Sequence, residues 1–207
     1  MLPLGDDNSY RKTTPVITFL LSAVNLIVFF LELIGGDAFI EKWAFIPSQF
    51  FANPLPNVIT IFTSMFMHAG WFHLFSNMIY LWIFGDNVED RFGHVKFLAF
   101  YLLSGIAASL TQGFFSQSSN IPMVGASGAI AGVLGAYILL YPAKRVRVLL
   151  FFRVVYLPAI FVIGTWFILQ LFSGIGSMAV MADTGGVAYL AHVGGFVAGF
   201  LLTLFLR

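Results

Sequence analysis

The 207-residue sequence predicts an all-α membrane protein, a bundle of six spanning helices with an outer loop in the membrane interface between the first two. Three observations lead there. Hydrophobic residues make up 59% of the chain and charged residues 9%, against roughly 25% charged in a soluble domain; the mean hydropathy is +0.93. Apolar windows approaching the length that crosses a hydrocarbon core recur along the whole chain. The basic residues fall in loops that alternate with those windows, as positive charge does on the cytoplasmic side of a membrane.

The windows are residues 15–33, 72–84, 97–115, 127–141, 154–172 and 187–206. Arg11 and Lys12 precede the first, and Arg91 and Lys96 lie between the second and third. Lys144, Arg145, Arg147 and Arg153 lie between the fourth and fifth, and Arg207 follows the sixth. With six spans these nine share one side and Lys42 stands alone on the other. Both termini are therefore expected in the cytoplasm. The first window follows Asp6 and Asp7 and has no small-residue cleavage site, so it reads as a retained helix and not as a secretory leader. Residues 1–14 are expected to form a short cytoplasmic tail, residues 1–207 a single membrane domain, and the setting to be a prokaryotic plasma membrane. The stretch 35–66 is too long for a tight turn. Its Trp43, Phe45, Phe50 and Phe51, punctuated by Pro47, Pro54 and Pro56, suit a loop lying in the interface.

The fourth window departs from a plain bundle. As a helix, 127–141 rises only about 22 Å, short of a core of ~30 Å. Before it runs the polar stretch Ser116-Gln117-Ser118-Ser119-Asn120-Ile121-Pro122. If the helix reaches the cytoplasmic face, its start lies below the outer surface. Non-helical backbone at that depth is tolerable only where protein covers it or it lines water, so a wet recess is expected above Ser127.

The chemistry-bearing residues converge there. Ser127 stands in Gly125-Ala126-Ser127-Gly128, with the small neighbours that let a substrate approach a nucleophilic hydroxyl. The sixth window runs inward and places His192 about 9 Å down; the second places His73 and Asn77 in its first turns. Each feature taken singly also fits a packing or self-satisfied polar role. Three helices bringing Ser, His and a His/Asn pair to one depth is harder to ascribe to packing, because intramembrane polar groups are costly. Gly128, Gly132 and Gly135 form a small face on the fourth helix, and Gly195 and Gly199 share a face with His192 on the sixth. Small faces let helices approach closely, so that hydroxyl and imidazole can meet at the distance general-base activation needs. His73 and Asn77, four apart, share one helical face. With the free N–H groups at the start of the fourth helix they read as donors to an oxyanion.

The chain resembles the rhomboid family of intramembrane serine proteases over nearly its full length. The matching residues are His73-Leu74-Phe75-Ser76-Asn77, Gly85-xxx-Glu89-xxx-Gly93, Gly125-Ala126-Ser127-Gly128 and Ala191-His192-xxx-Gly195-xxx-Gly199. Each motif is weak alone; their order, spacing and placement together are specific. The resemblance implies a Ser127–His192 catalytic dyad with no acidic third member, and an oxyanion site from His73, Asn77 and the Ser127 backbone N–H. It implies cleavage of transmembrane protein substrates near the outer end of their helices, with the fifth helix and its neighbouring loops gating lateral access. Two departures stand out. Ile59-Thr60 occupies the region where many members carry a Trp-Arg pair, and Ala131 the position where some carry a tyrosine against the histidine. Another group must then orient His192.

Other chemistries are disfavoured. A net charge of +1 argues against a nucleic-acid binder, the absence of cysteine excludes thiolate chemistry, and no spacing suggests a metal site, a phosphate loop or a cofactor. His68 reads as loop structure, His94 as a solvated loop residue, Asp183 as too remote to complete a triad, and Trp166 and Gln170 as packing and a satisfied polar group. The partners expected are transmembrane proteins and the lipid bilayer. A catalytically silent, helix-recruiting relative is the main alternative, although both Ser127 and His192 are present. A transporter would need polar residues continuing to the cytoplasmic face. The lower halves of the second, fourth and sixth helices are apolar apart from Tyr80, Gly135, Tyr137, Gly199 and Thr203.

Overall fold

An apolar helix in lipid needs only one narrow stripe against its neighbours. In α1 (Val16–Trp43) that stripe is Thr18, Leu21, Asn25, Phe29 and Glu32, spaced three and four apart. These descriptions come from a computed structural model covering residues 1–9, 11–179 and 186–206; Asp183 and Arg207 lie outside the described residues. α1 starts after Pro15 without a side-chain cap. Its Ile17 and Thr18 N–H groups donate instead to the carboxylate of Glu89, each at 2.8 Å, so a distant acid satisfies orphan donors of the first turn. The helical run passes residue 33 and reaches Trp43 across a break at Gly36 (φ 58, ψ −149), a conformation that glycine adopts without strain.

The outer stretch is a string of short helices: α2 (Pro47–Ala52), α3 (Pro54–Asn57), α4 (Thr60–Thr63) and a 3-10 turn (Ser64–Phe66). Proline opens α2 and α3, where its missing N–H costs nothing. Phe45, Ile61, Met65 and Met67 are buried while Leu55, Val58 and Ile59 are exposed, the two-sided apolar surface of an interfacial segment. Next come α5 (Trp71–Tyr80), a π turn (Leu81–Gly85) and α6 (Asp86–Phe92). They are followed by α7 (His94–Phe115), α8 (Ser127–Leu140), α9 (Ala159–Ala179) and α10 (Tyr189–Leu206).

The protein is an integral membrane helical bundle. Among the described residues α1, α7, α9 and α10 are long and apolar enough to cross a membrane, and the pair Pro54–Phe66 and Trp71–Phe92, bent by 78°, makes a fifth candidate. A count of six is reached only by including α8, whose 14 residues give about 21 Å. α8 lies inside the bundle: every residue from Gly128 to Tyr137 is buried.

Added to the helical bundle is a three-stranded antiparallel sheet at the end carrying most of the basic residues: β1 (Leu2–Asp6), β2 (Arg145–Leu150) and β3 (Arg153–Pro158), with β2 central. Buried Val146 and Val148 alternate with exposed Arg145 and Arg147, the period-two pattern of a half-buried strand. The expected tail 1–14 is thus partly an edge strand, and the run beginning at residue 154 is strand before it becomes α9. Asp6 ends β1 beneath α8, accepting a hydrogen bond from the Tyr137 hydroxyl, with the Lys144 ammonium 3.7 Å away.

Burial pushes the Asp6 carboxyl from its ordinary 3.8 up to about 6; the Tyr137 and Lys144 contacts oppose this and Asp86 adds to it. A carboxyl that holds its proton more tightly when folded contributes stability that is complete below the unfolded value and lost as pH rises through about 6. The melting temperature should therefore fall between pH 5 and 7.5. Asp6→Asn, which keeps an acceptor for Tyr137, should flatten that dependence and stabilise the protein at pH 7.5 by up to about 3 kcal/mol. Parallel melting curves for the two proteins across this range would contradict it.

Candidate active site

The chain leading into α8 is fixed by backbone pairing. Phe45 and Met123 exchange N–H···O bonds of 3.2 and 2.8 Å, and the Gly125 N–H donates to the Ser64 carbonyl at 2.9 Å. Gly125 then turns with φ 134, and Ser127 begins the helix. Ile130 makes a helical bond to the Ala126 carbonyl at 3.0 Å, so the N–H groups of Ser127, Gly128 and Ala129 have no acceptor within the helix.

Opposite Ser127 stands α10. A Cβ on Gly195 would run into the Gly128 carbonyl, and one on Gly199 into that of Gly132; Gly128 and Gly132 in turn face Ala108 and Ser104 of α7. This close approach brings the Ser127 Oγ to 2.8 Å from the Nε2 of His192, which is 8% exposed. A cavity of about 30 Å³ adjoins the serine, lined by Ser64, Ser109, Gly125, Gly128 and Ala191 among others. It lies where the short fourth helix leads one to expect a recess, and is large enough for a single water.

His73 approaches from α5. Its Nδ1 accepts the Ala69 N–H at 3.4 Å, which leaves Nε2 to carry the proton. A Cβ built on Gly125 would lie 2.9 Å from that Nε2 and 3.5 Å from the Ser127 Oγ, so both atoms border the space that glycine leaves open. Asn77, one turn on, is 6% exposed, and its Nδ2 finds no hydrogen-bond partner among the described residues. A buried donor left unpaired is open to an incoming acceptor. The ring of His68 packs edge-on to His73 at 5.1 Å, and its backbone N–H donates to Glu32 of α1 at 2.9 Å. The sequence reading had no role for Glu32.

His192 has a second partner. Its Nδ1 lies 2.6 Å from Gln170 Oε1, and the Trp166 ring lies over the imidazole with centroids 5.8 Å apart and an interplanar angle of 35°. From the sequence alone the pair reads as packing and a satisfied polar group. The sequence signal was available: an amide in the middle of an apolar helix needs an intramembrane partner. Ala131, buried on α8, supplies no ring to the histidine.

A family model described as the Rhomboid domain matches residues 56–207. The chain belongs to the rhomboid family. Rhomboid protein 1, mitochondrial, of Saccharomyces cerevisiae is 30% identical over 199 residues, which cover 93% of this chain and 54% of that protein. Rhomboid protease GluP of Bacillus subtilis is 34% identical over 193 residues, 92% of this chain and 35% of that one. RHOMBOID-like protein 6, mitochondrial, of Arabidopsis thaliana is 32% identical over 149 residues, 69% and 41% respectively. The chain thus spans about a third to a half of the length of these relatives. Their names include mitochondria as well as a bacterium, so rhomboid membership indicates a membrane without singling out the prokaryotic plasma membrane that the sequence suggested.

One minor residue of this rhomboid differs from expectation. His94 is not simply solvated: its Nδ1 lies 2.6 Å from Glu89 Oε1, in the same carboxylate cluster that holds the start of α1. Among the described residues no three His, Asp or Glu side chains form a group able to hold a metal ion.

Proposed function

We propose that this rhomboid is an intramembrane serine endopeptidase that cleaves transmembrane proteins near the outer end of their helices. The observation that carries the proposal is the 2.8 Å contact between Ser127 Oγ and His192 Nε2 at the start of a helix enclosed by the bundle. His192 takes the hydroxyl proton as Ser127 attacks the substrate carbonyl. His73 Nε2–H, Asn77 Nδ2–H and the Ser127 N–H hold the resulting oxyanion. Collapse breaks the C–N bond, His192 returns the proton to the departing amine, and the acyl group remains on Ser127. Water then gives its proton to His192 and attacks the acyl carbon, which releases the carboxylic acid and restores both side chains. No step requires a cofactor. Substrate reaches the site laterally past α9, whose Phe161, Ile168, Leu169 and Phe172 are exposed on its outer side.

Reconstitution in liposomes with a single-span substrate tests the reading. Cleavage should map to the outer part of the substrate helix and vanish in Ser127→Ala; a reconstituted, folded protein that leaves several such substrates intact would contradict it. The Gly125 space offers a narrower check. Gly125→Ala would set a methyl 2.8 Å from His73 Cε1 and 2.9 Å from its Nε2, at a backbone angle that alanine rarely adopts. Turnover per folded molecule should drop about 10²-fold, the scale on which misplaced reacting groups act. An unchanged kcat would place His73 outside the reaction.

A further inference from the structure

The proposed base is held by three elements, and one of them is the outermost. α10 carries the imidazole and α8 the serine. The remaining two contacts, Gln170 Oε1 at 2.6 Å from Nδ1 and the Trp166 ring, both come from α9, one turn apart on its inner face. α9 is the least buried of the four long apolar helices, with 22% of its apolar window inside the protein, and a Cβ on Gly164 would meet nothing within 4 Å. It is seated on α10 by Phe167, whose ring stacks on Phe196 at 4.2 Å.

Building on the dyad reading, we infer that Gln170 is a positioning residue for His192, and that its place on α9 makes the base competent only while α9 is seated on α10. The chemistry is specific. To accept the serine proton, Nε2 must be unprotonated, so the neutral ring must carry its proton on Nδ1. An amide oxygen facing Nδ1 selects that tautomer and fixes the ring's rotation. When His192 becomes imidazolium the same bond turns charge-assisted and strengthens, so it favours the transition state over the ground state. An amide does this without burying a second charge beside lipid, which a carboxylate would do. Trp166 restrains the ring plane, the task for which Ala131 has no side chain.

The test is the rate at which a small serine-reactive phosphonate labels Ser127, together with kcat and KM for a transmembrane substrate. Gln170→Leu keeps the volume and removes the acceptor. It should slow labelling and lower kcat about 10–100-fold, the worth of a hydrogen bond to a charged group, with KM little changed. Gln170→Glu restores an acceptor and should recover most of the labelling rate. Phe167→Ala, which removes the stack on Phe196, should slow labelling in the native background and add little in Gln170→Leu, since both act through one contact. Labelling of Gln170→Leu at the native rate, or failure of Gln170→Glu to recover it, overturns the positioning role. Equal slowing by Phe167→Ala in both backgrounds overturns the link to α9 seating. A native protein that labels at a residue other than Ser127 would instead remove the dyad reading on which the inference rests.

Discussion

Ser127→Ala and His192→Ala should each lower cleavage of a transmembrane substrate by about 10⁴-fold or more while the protein stays folded, the scale of single removals in serine proteases. The double variant should be no worse than either single one. Hydroxyl and imidazole lie 2.8 Å apart, and in the proposed dyad, once either is gone, the other has nothing to activate or to be activated by. Multiplying losses would mean that the two act separately. Melting temperatures on the same preparations separate this from a packing role, because Ser127 and His192 sit where α8 and α10 meet with little room to spare. A packing role predicts a lower melting temperature with turnover per folded molecule nearly intact.

Asn77→Ala should cost about 10²–10³ in kcat, or roughly 3–4 kcal/mol of transition-state stabilisation, as loss of one oxyanion donor does elsewhere. The native Asn77 Nδ2 has no partner among the described residues, so its truncation breaks no existing side-chain bond from that nitrogen and stability should hold. His73→Ala should cost a similar factor in rate. It should also lower the melting temperature, because the His73 ring packs against His68 and accepts the Ala69 N–H. In both variants phosphonate labelling of Ser127 should slow without disappearing, since nucleophile and base remain. Full activity in Asn77→Ala would leave the oxyanion to His73 and the backbone.

The helices were legible because lipid imposes one dominant constraint, long apolar runs with their backbone bonds satisfied internally. Where that constraint lapses, sequence reading loses resolution. Residues 154–158 look like the start of a spanning helix by hydropathy, yet they pair with β2 as strand β3. The alternation of arginine and valine from Arg145 to Val148 was the available signal. The run from residue 34 to Trp43 reads as loop because Gly35 and Gly36 interrupt it, but a break at one glycine lets the helix resume. The nearness of Ser127 to His192, and of both Ser127 and His73 to the space beside Gly125, is the kind of contact that counting spans and residues leads one to expect. The contact of Gln170 with His192 is not, because it depends on how two helices, their contacting residues 22 apart in sequence, are rotated about their axes. Glu32 and Glu89 were obscured in the same way. The contacts in question, of Glu32 with His68 and of Glu89 with Ile17 and Thr18, join residues more than 30 apart in sequence.

The central claim, that Ser127 is the nucleophile and His192 its base, is tested most directly by locating the adduct that a serine-reactive phosphonate leaves on the protein in membranes. The account predicts a single modified peptide carrying Ser127, with no adduct in Ser127→Ala and a strongly slowed one in His192→Ala. An adduct on another serine, or labelling of Ser127 at an undiminished rate without His192, would contradict it.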